Sequence, residues 1–124
     1  MNAGKRGLLL LAALSFPAFG NDFSIDDIRT AAAEIRAVRD AQGMAAAQEA
    51  VLGCYRREKR HEACIAQDFI LSNIAARDAR DPMNVLDEMA ERITQAMQHA
   101  AVPLADAKQY ILLVKQHGFP AYLQ

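Results

Sequence analysis

Apolar residues recur at helical spacing along most of this chain, and the places where the recurrence breaks mark out the elements. Ile25, Ile28, Ala32, Ile35 and Val38 form one stripe, with Arg29, Glu34, Arg36, Arg39 and Asp40 left mostly outward. The spacing predicts a first helix from about Ile25 to Ala41. Ser24 followed by Asp27 gives a capping-box-like start, with Phe23 and Ile28 placed as a hydrophobic staple. Gly43 then punctuates the pattern. At roughly 100° per residue, Met44, Val51, Leu52 and Tyr55 fall on nearly the opposite face from Ile25, Ile28, Ile35 and Val38. One straight helix would carry an apolar stripe that changes sides halfway. A bend at Gln42-Gly43 and a second helix from about Met44 to Tyr55 restore a single core.

From Arg56 to Glu62 there is no apolar residue at all. A helix through this stretch would expose every face, although each of its residues tolerates helical geometry. A third helix resumes with Cys64, Ile65, Phe69, Ile70, Leu71 and Ile74, a broad apolar face that suits the most buried helix. Asp68, beside Gln67, is expected on its solvent-facing edge; buried, it would need a partner such as Arg92. The pattern fades through Ala75 to Arg80, and Asp81-Pro82 supplies the N-cap and first residue of a fourth helix. Leu86, Met89, Ile93, Ala96, Met97 and Ala100 follow on one side. Glu88, four residues before Arg92, adds a surface pair worth ~0.3 kcal/mol.

Val102-Pro103 opens the last element, where Leu104, Ala107, Ile111 and Val114 form a stripe widened by Tyr110 and Leu112. Gly118 suits the left-handed position after a helix, with Phe119 reaching back to Val114 and Pro120 enforcing the stop. The apolar tail of Phe119, Tyr122 and Leu123 is expected to pack back. No strand-like alternation, internal repeat or low-complexity linker appears. The expectation is an all-α fold, a small bundle of four or five short helices with one intramolecular disulfide.

The first 20 residues change the picture of where this bundle resides. Lys5 and Arg6 form a positive lead, and Leu8 to Phe16 an apolar run too short to span a bilayer. Ala18 and Gly20 are the small residues before a cut ahead of Asn21. Residues 1–20 therefore read as a cleaved signal peptide and 21–124 as a single helical domain, periplasmic or secreted. Cleavage leaves 12 basic against 15 acidic side chains, a net −3 with histidines neutral. A net-acidic domain is a poor nucleic-acid binder, since a phosphate backbone demands a basic face. After cleavage no apolar run is long enough for stable membrane insertion.

Cys54 and Cys64 are the two cysteines, an even count that in an exported chain points to a disulfide. In a continuous helix their Cα atoms would lie ~15 Å apart, whereas a disulfide needs them within about 7 Å. Pairing requires a chain reversal between them and is worth somewhat under ~3 kcal/mol. The competing arrangement is one continuous helix whose cysteines bond another chain. The nine-residue gap resembles the spacing in twin C-x9-C hairpin proteins, but those carry two such motifs and this chain has one.

Arg56, Arg57, Lys59, Arg60 and His61 make a basic patch on an acidic protein, either a solvated loop or a docking surface for an acidic partner or anionic lipid heads. The histidines His61, His99 and His117 share no metal-ligand spacing, so no metal site is expected. His99 and His117 near helix C-termini suit the helix dipole. Met44, Met89 or Met97 with His99 or His117 are the candidates for a haem held between methionine and histidine, though methionine at helical spacing is ordinarily core filler. Asp26-Asp27 and Asp87-Glu88 are adjacent pairs whose members point to different faces, and no G-x-S-x-G, H-E-x-x-H or phosphate loop occurs. The expectation is a non-enzymatic, cofactor-free module that binds another protein, such as an inhibitor, an immunity-type protein, or an accessory subunit of an envelope or secretion complex. The alternative is a haem- or metal-binding helical carrier.

Overall fold

The computed structural model describes residues 23–124. The proposed signal peptide and its cleavage site lie outside the described residues. Helix α1 spans Ile25–Gln42, α2 Met44–Arg57, α3 Glu62–Ala76, α4 Pro82–His99 and α5 Leu104–Leu113. A π-helical turn, Val114–Gly118, joins α5 directly to a final short helix α6, Phe119–Leu123. Among the described residues there is no strand, and the fold is all-α as expected.

Local chemistry explains most of the boundaries. Ser24 and Asp27 form the anticipated capping box, with the Ser24 amide donating to Asp27 Oδ2 at 2.7 Å and the Asp27 amide to Ser24 Oγ at 3.3 Å. Gly43, at φ 97°, is the whole connection between α1 and α2, a conformation that glycine adopts without steric cost. Asp81 caps α4, its carboxylate accepting from the Asn84 amide at 3.2 Å, with Pro82 in the first turn.

The last stop differs from expectation. Gly118 has ordinary helical geometry, φ −77°, and the chain continues helically past it. Its role is space: a Cβ there would lie 2.7 Å from Ile70 Cδ1 and 3.4 Å from Ile28 Cγ2. Pro120 falls in the first turn of α6, directly after the π turn, so a residue without an N–H sits inside a continuous helical run where the hydrogen bonding has widened, as in the bond from the Phe119 amide to Val114 O. The left-handed stop occurs instead after α4, at Ala101 with φ 57°. The Ala101 amide donates to Gln98 O and the Val102 amide to Met97 O, both at 3.0 Å, the paired bonds of a Schellman turn.

Helix α3 is the centre of the bundle. It packs against α1, α2, α4 and the π turn, and ten of its residues are buried. Ile65, Ala66, Ile70 and Leu71 are at most 1 % exposed and meet Ile28, Ala32 and Ile35 of α1, Val51 of α2, and Met89 and Ile93 of α4 in one core. The C-terminal run closes the bundle against α1: Tyr122 is fully buried, its backbone carbonyl accepts from Arg36 Nη1, and its hydroxyl lies 3.3 Å from Arg39 Nη1. Phe119 meets Phe69 edge-on at 6.0 Å. The tail packs back as expected, except that Leu123 remains exposed.

Candidate docking groove between α2 and α4

Cys54, in the last turn of α2, and Cys64, in the first turn of α3, are joined as a disulfide with Cα atoms 5.6 Å apart. The chain reverses over Glu58–His61, so α2 and α3 run antiparallel, as the cysteine argument required. Short connections then make α3 and α4 antiparallel, and α2 and α4 parallel. These two parallel helices do not close on one another. Between them lies a groove over α3.

The groove is divided at its middle by a polar cluster. Asp68 of α3 is 1 % exposed, which corrects the expectation of a solvent-facing edge. Its burial is compensated by four hydrogen bonds. Arg92 grips it with two parallel bonds, Nε to Oδ2 and Nη2 to Oδ1, both 2.9 Å. The Tyr55 hydroxyl donates to Oδ2 at 2.9 Å and the Ser72 hydroxyl to Oδ1 at 2.8 Å. The two oxygens thus have their acceptor capacity used, the condition under which a buried carboxylate is tolerated. Arg92 turns to Asp68; the charge of Glu88, four residues earlier, acts on Arg92 as a lesser influence. These bonds raise the Arg92 pKa. Burial, followed by the charge of Asp68, pushes the Tyr55 phenol far above its usual range.

On one side of this cluster the groove forms a space of about 260 Å³ bordered by Leu52, Tyr55 and Arg56 of α2, His61 of the corner, and Arg92 and His99 of α4. On the other side a space of about 240 Å³ is bordered by Gln48, Glu49 and Leu52 of α2, Val85 and Glu88 of α4, and Asp68 below. Leu52 and Arg92 border both halves. The first half carries cationic groups, with Arg92 partly neutralised by Asp68. The second half carries Glu49 and Glu88.

The five residues of the basic patch are split by the corner. Arg56 and His61 face the α2/α4 groove, the His61 ring lying edge-on to Tyr55 at 5.5 Å, with Nε2 2.9 Å from the Glu58 carbonyl oxygen. Arg57 and Arg60 border a separate groove on the α1 side, beside Cys54 and Glu34. Arg60 is also committed to buried Glu62 at 2.8 Å. Lys59 is exposed at the turn between them.

Arg92, His99 and Leu52 join Arg56 and His61 without having been singled out together in the sequence. A signal existed: Glu88, Arg92, Gln95 and His99 recur at three- and four-residue spacing on α4, opposite its apolar stripe.

Met44 of the haem candidates is partly buried against the core. Met89 and Met97 belong to the core, His99 borders the groove, and His117 lies 3.4 Å from Arg29 on α1. Among the described residues no group of three or more His, Cys, Asp and Glu side chains is arranged to hold a metal ion. No described helix is long and apolar enough to cross a membrane. Comparison of the chain with family models, curated proteins and solved structures finds no match.

Proposed function

We propose that this protein is an exported, non-enzymatic helical module that binds another protein through the α2/α4 groove. It acts as an inhibitor or immunity-type protein, or as an accessory subunit of an envelope or secretion complex. The observation that carries the reading is the groove itself. Arg56 and His61 from the corner and His99 from α4 line one recess with the apolar side chain of Leu52, an arrangement suited to a partner with acidic and apolar groups. Export is supported by the signal-like leader and by the Cys54–Cys64 disulfide, since such bonds persist in oxidising compartments. These features fit the periplasm or the extracellular space.

The test uses full-length exported protein tagged after Gln124 and exposed to envelope extract of its own host. The wild type is expected to retain a partner in fixed ratio. The charge-reversed R56E/H99E variant loses it, and K108E, on the exposed side of α5, keeps it. Identical retention by wild type and R56E/H99E overturns the groove as the docking site. Haem or metal co-purifying in stoichiometric amount overturns the reading in favour of a carrier.

A further inference from the structure

The groove has an electrical direction. Because α2 and α4 are parallel, its acidic half, Glu49 and Glu88, lies towards their N-terminal ends, and its basic half, Arg56, His61 and His99, towards their C-terminal ends. Leu52 supplies an apolar border common to both halves, with Val85 at one end and Ala96 at the other.

We propose that the occupant is an amphipathic helix of a partner protein, lying antiparallel to α2 and α4, with acidic residues in its first turns and basic residues in its last. This rests on the protein-binding reading of the same groove and specifies what enters it. The shape favours a helix: a furrow between two helices, floored by α3 in its acidic half and ended by the His61 corner in its basic half, receives a convex rod. A second copy of this chain would bring one furrow against another and fill neither. The length is adequate, since Val85 to His99 spans ~21 Å along α4, or about four helical turns.

Charge and dipole then agree on one orientation. An antiparallel guest places its N-terminus beside the C-terminal ends of α2 and α4, so the opposed partial charges of the helix ends attract. Its first-turn acids meet Arg56, His61 and His99, and its last-turn bases meet Glu49 and Glu88. Acids first and bases last is also the distribution that stabilises the guest helix itself. A parallel guest would have to reverse that distribution to match the groove, and its ends would face like partial charges. One direction satisfies every term.

The direction is tested by placing a photo-crosslinking amino acid at Gln95, in the basic half, or at Gln48, in the acidic half, of the full exported chain. The crosslinked peptides are then sequenced by mass spectrometry. Both positions are expected to capture one segment of one partner, with Gln95 joined near its acidic N-terminal part and Gln48 joined roughly ten residues later. The segment should show apolar spacing of three and four. Charge reversal of the acidic end, E49K/E88K, is expected to weaken binding of the same partner about tenfold, with strong salt dependence. The reverse order of crosslinks, a segment without helical periodicity, or capture of a second copy of this chain overturns the antiparallel helix. Of these, the reversed order and the non-helical segment leave protein binding itself standing. Failure of both positions to capture any partner sinks both readings.

Discussion

Arg92 of α4 holds both carboxylate oxygens of Asp68 on α3, 24 residues earlier in the chain, with two bonds of 2.9 Å. Asp68 lies fully inside the bundle while the Arg92 side chain is 31 % exposed, so the pair joins core to groove. Removing one partner of such a pair leaves the other uncompensated, a loss of about 3–5 kcal/mol when the orphan is buried. Asp68→Ala unpairs an arginine with access to water. Arg92→Met leaves a buried carboxylate with only Tyr55 and Ser72 and is expected to be the more damaging variant. The double substitution D68L/R92M removes the charge problem and should recover much of the loss. Urea denaturation of the three variants checks the ranking, and a double variant less stable than R92M contradicts it.

Gly118 is required for clearance. Gly118→Ala gains helix propensity but drives a methyl into Ile70 Cδ1, an overpacking penalty of about 1–3 kcal/mol. Combining it with Ile70→Val, which deletes that same Cδ1 atom, should restore part of the lost stability. If the two substitutions simply add in thermal melts, the close approach is not what makes the glycine necessary.

Ala101 presents the opposite case. Its φ of 57° costs an L-residue with a Cβ roughly 1 kcal/mol relative to glycine. Ala101→Gly is therefore expected to stabilise the protein by up to ~1 kcal/mol and raise its melting temperature by several degrees. An unchanged or lowered melting temperature would place the strain elsewhere.

Two phenols make stability fall at alkaline pH. Burial, with the charge of Asp68 on Tyr55 and of Glu62 and Asp27 on Tyr110, raises both pKa values well above the ordinary phenol. Up to about pH 9 neither the folded nor the unfolded chain appreciably ionises these groups, and their contribution is fully present. Above that, the unfolded chain releases protons that the folded chain retains, so stability falls as pH rises. Tyrosinate absorbance from Tyr55 and Tyr110 should appear together with unfolding. The double variant Y55F/Y110F should lose stability less steeply above pH 10 than the wild type.

The Cys54–Cys64 bond closes a loop of ten residues' separation, and its loss in C54S/C64S is expected to cost somewhat under ~3 kcal/mol. Mass spectrometry of the protein isolated without reductant should find a monomer two hydrogens lighter than its reduced form. A linked dimer would mean that the cysteines serve another chain.

The helices were legible because their signals were local. The Ile25–Val38 stripe, the phase change at Gly43, and the Asp81-Pro82 cap each depend on neighbouring residues, and four helices begin or end within two residues of expectation. The reversal between Cys54 and Cys64 was legible only through bond geometry, since its residues carry no turn signal. Gly118 departs from its expected role because glycine near a helix end serves either conformation or clearance, and only Ile70 and Ile28 across the core distinguish them. Asp68 departs from expectation for a related reason. A carboxylate is normally assigned to the outer edge of a helix, but α3 packs on so many sides that little outer edge remains. The groove could not be assembled from sequence because Arg56 and His99 are brought together by the packing of three helices.

Helix α2 forms one wall of that groove and is held differently at its two ends. Near Cys54 a covalent bond fixes it to α3; at its start a single glycine joins it to α1. The cross-link is expected to make the basic mouth the stiffer end of the groove, and any widening should proceed from the acidic end. Amide hydrogens in the first half of α2 should exchange faster than those near Cys54, and an entering segment should slow them most. If exchange follows that order, the bond that defines the corner also sets which end of the groove gives way.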